Sequence, residues 1–181
     1  MGDERMGKSS RRALLQAEIE TELEPDERLV WTGQPDARAV FRKLRWLVGV
    51  GGPVVAIAGW FALDSIAAQF ALLAGLALLL GPAVAALMAR GTIYGLTNRR
   101  ALVVSRSIGH RALTSVDLSA ADDAVELLEG EGGSGTVLFV SGLPRRRRYT
   151  DYTGKFGFWD VPDAVRVAAI VQRALDRRRR A

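Results

Sequence analysis

The stretch "TIYGLTNRRALVV", Thr92 to Val104, is the part of the chain that most clearly indicates a fold. It contains two short runs rich in β-branched and aromatic residues, separated by "TNRR". Asn98 tolerates a left-handed backbone, so this tetrapeptide suits a tight turn. The pattern predicts a β-hairpin, and the runs "ALTSVDL", "DAVELLE" and "GTVLFVS" that follow predict further strands. Such short strands favour a small antiparallel sheet that curls or packs on itself.

The C-terminal segment "WDVPDAVRVAAIVQRALDRRRR" has a helical period instead. Asp160 is predicted to be the N-cap, Pro162 fits the first turn, and Asp163 complements the helix dipole. The apolar face predicted for this helix consists of Ala164, Val167, Ala168, Val171 and Leu175. We expect this face to pack on the sheet.

A long apolar passage, Trp46 to Ala89, precedes the hairpin. The polar residues that interrupt it are Asp64, Ser65 and Gln69. The two apolar segments on either side each approach the roughly 20 residues that a helix needs to cross a bilayer. A buried helical pair in a soluble domain is the alternative, but the remaining chain is too short to enclose both helices. The passage therefore predicts a two-helix transmembrane hairpin, with Ala67, Ala71 and Gly75 as a small-residue seam between its helices.

Basic residues flank this passage on both sides and are absent from its central connector. They are Arg38, Arg42, Lys43 and Arg45 before it, and Arg90, Arg99 and Arg100 after it. By the positive-inside rule, both termini are expected in the cytoplasm and the turn near Asp64 on the far side. The predicted location is the inner (cytoplasmic) membrane, with a multi-pass topology.

These patterns divide the chain into four segments. Residues 1–25 are predicted to be a flexible N-terminal arm, either frayed or with a short amphipathic helix. Residues 26–43 hold a juxtamembrane strand and turn, 44–89 the transmembrane hairpin, and 91–178 the β domain with its C-terminal helix. A lone strand is unstable in water, so we expect "ERLVWTGQP" to pair with strands that follow the hairpin.

The sequence offers no catalytic set, no metal site and no cofactor site. Cysteine is absent and His110 is the single histidine, so thiolate chemistry and zinc sites with sulfur ligands are excluded. "GEGGSG", Gly130 to Gly135, satisfies the dinucleotide fingerprint literally, but "TVLFV" after it predicts a strand where the fingerprint needs a helix. We interpret it as a hairpin loop.

Basic clusters are the candidate binding residues. The candidates for anionic headgroup binding are Arg99, Arg100, Arg145, Arg146, Arg147 and Arg148. A domain tethered to the inner leaflet already lies near anionic lipids, which favours lipid over nucleic acid as the ligand. The alternative is that Arg145 to Arg148 form a solvated loop and the second run, Arg177 to Arg180, a frayed helix end.

The chain resembles the bacterial pleckstrin-homology-like proteins of the membrane-anchored type. The resemblance rests on "LEPDERLVWTGQPDA" before the apolar passage, "IYGLTNRRALVV" after it and "FGFWDVPDAVRVAAIVQRAL" at the end. It implies a barrel-like antiparallel sheet closed at one end by the C-terminal helix, and it brings no catalytic residues. The expected fold class is therefore an α+β membrane protein with a two-helix transmembrane hairpin and a pleckstrin-homology-like β domain.

The expected function is a non-enzymatic, membrane-anchored module whose β domain binds a protein partner or anionic lipid at the cytoplasmic face. The alternative is an accessory subunit of a membrane transporter or envelope-biogenesis complex, with the hairpin contacting its partners. The protein partner is not identified by the sequence, and homo-oligomerisation is left open.

Overall fold

The computed structural model describes residues 17, 19–61, 65–107, 110–143, 149–150 and 153–180. Within these residues the protein is α+β, with four bounded α-helices and two antiparallel sheets. The helices are α1 (Ala37–Leu44), α2 (Trp46–Phe61), α3 (Ile66–Arg90) and α4 (Ala164–Arg179). The strands are β1 (Leu29–Gly33), β2 (Thr92–Thr97), β3 (Arg100–Ser107), β4 (His110–Asp117), β5 (Glu126–Glu129), β6 (Gly135–Val140) and β7 (Phe156–Val161).

The chain divides into two compact units. The helical unit spans Asp36–Arg90 and contains α1, α2 and α3. The β unit holds the described residues up to Pro35 and from Gly91 onward. The β unit is therefore built from both flanks of the apolar passage.

The predicted hairpin at Thr92 to Val104 is confirmed. It forms β2, a turn and the first half of β3, with Ile93 opposite Val104. The Thr97 hydroxyl oxygen accepts hydrogen bonds from the N–H groups of Arg99 and Arg100, at 3.1 and 2.9 Å, and so closes the turn. The turn does not use the left-handed conformation that asparagine tolerates, because Asn98 is not among the described non-glycine residues with positive φ.

The Asn98 side chain instead ties the turn to the segment before the apolar passage. Its Oδ1 accepts a hydrogen bond from the Arg28 N–H at 2.8 Å, and its own N–H donates to the Arg28 carbonyl. Next to this contact, β1 pairs antiparallel with β2, with Trp31 opposite Leu96. The expected pairing of the upstream strand with strands after the apolar passage is confirmed. The first sheet has the order β1-β2-β3-β4.

The second sheet has the order β5-β6-β7 and contains a strand that the sequence analysis missed. Residues 156–161 form β7, so Asp160 lies in a strand and its prediction as the helix N-cap is wrong. The N-cap is Asp163, whose side chain makes no capping hydrogen bond, and Pro162 lies in the turn before the helix. Alternation of Phe156 and Phe158, both fully buried, was the overlooked strand signal.

One apolar core joins both sheets and α4. Its members alternate along β2 and β3, as expected for side chains on one face of a sheet. They come from β2 to β4 (Tyr94, Leu96, Ala101, Val103, Val116), from β6 and β7 (Val137, Phe139, Val140, Phe156, Phe158, Val161) and from α4 (Ala164, Val167, Val171, Ala174, Leu175). The predicted apolar face of α4 is confirmed, with Ala168 only partly buried and Ala174 added.

The opposite face of the first sheet is covered by the N-terminal segment. Ile19 is fully buried on Ile93, Leu102 and Val104. It lies over Gly95, where an added Cβ would come within 3.0 Å of the Ile19 side chain. Residues 17, 19 and 20 are helical, whereas 1–16, which carry most of the predicted arm, lie outside the described residues.

In the helical unit, α3 is the one described helix that is long and apolar enough by itself to cross a membrane. It has 25 residues, and only 11% of its most apolar window is buried. The other predicted span, α2, has 16 residues and measures about 24 Å. It reaches a spanning length only together with α1, from which it is bent by 53°. This finding gives weak support to membrane association.

Close contact between α2 and α3 depends on two glycines. A Cβ on Gly51 would lie 2.9 Å from the Gly75 carbonyl oxygen, and a Cβ on Gly75 would lie 2.9 Å from Val54. The predicted small-residue seam is correct at Gly75 and wrong at Ala67, which is exposed. The four-residue spacing drifts off the contacting face because the helical repeat is 3.6 residues.

Candidate functional site

The predicted anion-binding residues fall into three different situations. Arg145 to Arg148 lie outside the described residues. Arg99 is exposed in the turn between β2 and β3. Arg100, at the start of β3, directs its guanidinium to Glu27. Of the two neighbouring arginines, Arg99 is therefore accessible to a ligand, whereas Arg100 is engaged by Glu27.

Arg100 and Glu27 form a two-pronged ion pair. The guanidinium Nε donates to Oε1 and Nη2 donates to Oε2 of the carboxylate, each at 2.9 Å. The Thr97 hydroxyl donates to Oε1 at 2.8 Å, and the Glu24 N–H donates to Oε2 at 3.0 Å. Four donors thus converge on a carboxylate whose side chain is 0% exposed. This is the arrangement that a buried charge needs.

The N-terminal segment supplies further partners for the same guanidinium. Arg100 Nη2 donates to the Glu22 carbonyl at 3.0 Å and lies 3.3 Å from Glu24 Oε1. Glu22 in turn pairs with Arg111 of β4 at 2.6 Å. These contacts join the segment before β1 to β3 and β4. The Arg100 side chain is 21% exposed, and its charge is used inside the β unit.

The carboxylate of Glu27 stays ionised in this setting. Burial alone would raise its pKa, but hydrogen bonds from Arg100, the Glu24 N–H and Thr97 outweigh burial and lower the pKa below its usual range. The hydrogen bond with Glu27 raises the pKa of Arg100 further. A carboxylate held by four donors is a weak base, so the pair suits a structural role better than proton transfer.

Sequence reasoning missed Glu27 because its partner is 73 residues away, beyond the apolar passage. The signal that could have found it is the position of Glu27 two residues before a strand expected to pair with "TIYGLT". Antiparallel pairing of β1 with β2 brings the residues just before β1 close to the C-terminal end of β2. The register that fixes the pair depends on the bulge between Leu29 and Trp31, which the pattern does not specify.

The C-terminal arginines attach α4 to the rest of the β unit. Arg178 pairs with Asp117 at 2.9 Å and donates to the Arg99 carbonyl at 3.1 Å. Arg179 pairs with Asp123 at 2.9 Å and donates to the Asp122 carbonyl. A hydrogen bond from the Ser119 N–H, helped by Arg178, lowers the pKa of Asp117. The frayed-end interpretation is therefore wrong for these two arginines.

Residues 130–135 form the predicted hairpin loop. The chain makes a short 3-10 turn at Glu131–Gly133 between β5 and β6, which are paired. Gly132 and Gly133 have φ of 72° and 77°, a region that favours glycine. Since a strand follows, this loop offers no helix N-terminus to a pyrophosphate.

The described residues offer neither a metal site nor, at Tyr94, a reactive phenol. Among the described residues, no group of three or more His, Cys, Asp or Glu side chains could hold a metal ion. Tyr94 is buried in the core, its hydroxyl donates to the Trp159 carbonyl at 3.2 Å, and burial raises its pKa. Its phenol is therefore a core group held in its neutral form.

Arg100, Arg111, Arg178 and Arg179 thus connect parts of the β unit, and among the predicted headgroup residues that the structure describes, Arg99 is the exposed one. Searches of protein-family models, curated proteins and solved structures find no match to this chain.

Proposed function

We propose that this protein is a non-enzymatic, membrane-anchored interaction module. Its β unit is presented at the cytoplasmic face of the inner membrane, where it binds a protein partner or an anionic headgroup. The observation that carries the proposal is α3, a 25-residue apolar helix with mostly exposed side chains. It ends at Arg90, and β2 of the β unit begins at Thr92. A short connection of this kind limits how far the β unit can move from the bilayer.

The pleckstrin-homology-like assignment is part of this proposal. A four-stranded and a three-stranded antiparallel sheet share one core, and a C-terminal helix packs on it. This arrangement agrees with the curved sheet and closing helix that the family resemblance implies. An insertion of the membrane anchor between β1 and β2 then leaves the sheet intact, because these two strands pair with each other.

We also propose that α2 is the second membrane-spanning helix and that α1 lies at the interface. A basic residue at the centre of a spanning helix costs about 2.5–3.5 kcal/mol, and α1 contains Arg38, Arg42 and Lys43. Within the helical unit, α1 packs beside the C-terminal end of α3, near Arg90. The basic groups of both flanks therefore lie at one end, which supports a cytoplasmic location for both termini. Local thinning of the bilayer accommodates the short α2.

The topology predicts different labelling of two introduced cysteines. The chain has no cysteine, so single Ser65→Cys and Ser119→Cys variants can be labelled without background. In intact spheroplasts, an impermeant maleimide is expected to label Ser65→Cys, a position directly before α3. Ser119→Cys in the β unit is expected to react only after lysis. Both variants should stay in the membrane fraction after alkaline extraction.

Labelling of Ser119→Cys from outside would reverse the proposed orientation. Recovery of the wild-type chain in the soluble fraction without detergent would reject the anchor itself. The unmodified chain provides the control for unspecific labelling, and a lysed sample provides the maximum signal for each variant.

Lipid and protein ligands of the β unit are distinguished by flotation. The strand pairing permits a linked β unit, in which a short Gly-Ser loop replaces Asp36–Arg90 and retains β1 beside β2. If Arg99 and Arg145 to Arg148 bind headgroups, this protein floats with anionic but not neutral liposomes. Five arginines then contribute on the order of 1 kcal/mol each at low salt. The variant with Arg99 and Arg145 to Arg148 changed to Ser should stay at the bottom.

Arg111→Ser is the matched control, because Arg111 already pairs with Glu22. If both variants float to the same extent, or if the unmodified β unit does not float, the five arginines are rejected as headgroup ligands. The β unit is then assigned to a protein partner.

A further inference from the structure

A cleft of about 450 Å³ lies within the helical unit, between α1 and the C-terminal third of α3. Its lining includes Arg38 and Phe41 from α1 and Ala83, Ala86, Leu87 and Arg90 from α3. The alanines leave room between the helices, whereas Phe41 and Leu87 form apolar walls. The volume falls within the range of small-molecule sites.

The cleft combines apolar walls with cationic groups. The guanidinium-bearing side chains, Arg38 and Arg90, are exposed. The residues that line the cleft include these two arginines and no acidic residue. The nearest acid along the chain is Asp36, which caps α1 by accepting the Arg38 N–H at 2.9 Å. Charge complementarity therefore favours an anionic occupant with an apolar part.

We propose that this cleft binds one anionic phospholipid of the inner leaflet. Arg38 and Arg90 hold the phosphate, since guanidinium groups match phosphate geometry. The first part of an acyl chain lies on Ala83 and Ala86 and is covered by Phe41. The inference deepens the proposed function and rests on it, because it requires α3 to span the membrane.

A lipid is favoured over a free phosphate by the surface that continues from the cleft. Val84 and Leu80 of α3 are exposed apolar residues that lead away from Arg90 along the helix. An acyl chain can lie on this surface while it stays in the hydrocarbon, so a lipid can bring its phosphate to the cleft without exposing its tails to water. A soluble anion would gain nothing from it. An anionic headgroup is favoured over a zwitterionic one because the site offers two cationic groups.

The test uses the full chain, purified in mild detergent with equal amounts of phosphatidylglycerol and phosphatidylcholine. Native mass spectrometry then counts the lipids retained on each protein molecule. We expect one retained phosphatidylglycerol. Retention of phosphatidylglycerol should fall about fivefold in Arg38→Gln or Arg90→Gln alone. In the double variant the two losses should multiply to about 25-fold. Arg45→Gln, an exposed arginine at the end of α1 outside the cleft, should retain it.

A second pair of variants tests the apolar half of the site without changing charge. Ala86→Phe fills the cleft and is expected to lose the retained lipid. Ala74→Phe is its control, because Ala74 is exposed on α3 away from the cleft. Circular dichroism of each variant verifies that the helices remain.

Equal retention of both lipids, or phosphatidylglycerol retention that survives the double arginine variant, would overturn the inference. Binding of inorganic phosphate in the cleft in place of the lipid would also overturn the inference. So would a dimer in which a second copy of the chain covers the cleft and the lipid content does not depend on Arg38. A protein that is inserted in the membrane but lacks the specific lipid rejects this inference alone. A chain that is soluble without detergent rejects the proposed function as well.

Discussion

Replacement of Arg100 by Ala is expected to lower the free energy of unfolding of the linked β unit by about 3 kcal/mol. The substitution removes two of the four donors to the Glu27 carboxylate and leaves its charge buried, with the side chain 0% exposed. We place the loss at the lower end of the range for broken buried pairs, because the Arg100 side chain is 21% exposed. Urea unfolding monitored by near-ultraviolet circular dichroism measures it.

The matched control is Arg111→Ala, which also removes an arginine paired with the N-terminal segment. That side chain is 45% exposed, and surface pairs contribute about 0–1 kcal/mol. Equal losses for the two variants would contradict the importance of burial. Thr97→Val provides a second view of the site, because it removes one donor to Glu27 and the acceptor of the turn while it preserves the side-chain shape.

The pH dependence of stability gives an independent readout of the same pair. The folded-state pKa of Glu27 is lowered from the usual 4.5, so its contribution is fully present above about pH 4.5. It is lost as the pH falls through the lower folded-state pKa, where the carboxylate binds a proton. In Arg100→Ala this acid-side loss should shrink, since the hydrogen bonds that lower the pKa are gone.

The first sheet could be predicted from the sequence because its signals are local. Alternating residues and the turn residues between Thr92 and Val104 specify β2, β3 and the face of each side chain. By contrast, "FGFW" at Phe156 to Trp159 gave too short an alternation to outweigh the helical pattern after it. The pattern therefore predicts Asp160 as part of the helix, although it lies in β7.

The ion pair and the helical unit show what local patterns omit. Glu27 meets Arg100 only because β1 pairs with β2 across the apolar passage, with a register set by a bulge. Composition predicted two spans of similar length, yet the chain bends by 53° before Trp46 and leaves α2 with 16 residues. The cleft beside Arg38 was missed as well, since it depends on the packing of α1 against α3.

Replacement of Phe158 by Ala is expected to cost about 3–5 kcal/mol of unfolding free energy in the linked β unit. Phe158 is fully buried, and its ring lies 5.1–5.2 Å from the rings of Trp31, Tyr94 and Phe139. Removal of the ring leaves a cavity between strands of both sheets. It also ends three aromatic contacts, each of which adds about 0.5–1.5 kcal/mol beyond burial. The same urea titration measures the change.

Phe158→Leu keeps most of the volume and should cost about 1.5 kcal/mol or less, while Val165→Ala on the exposed side of α4 should cost little. A Phe158→Ala loss no larger than that of Val165→Ala would contradict the core described above. The Phe158 ring contacts residues from both sides of the apolar passage, because Trp31 lies before the passage and Tyr94 after it. Phe158 thus packs the two flanks of the apolar passage together, and its loss should loosen β1 from the first sheet.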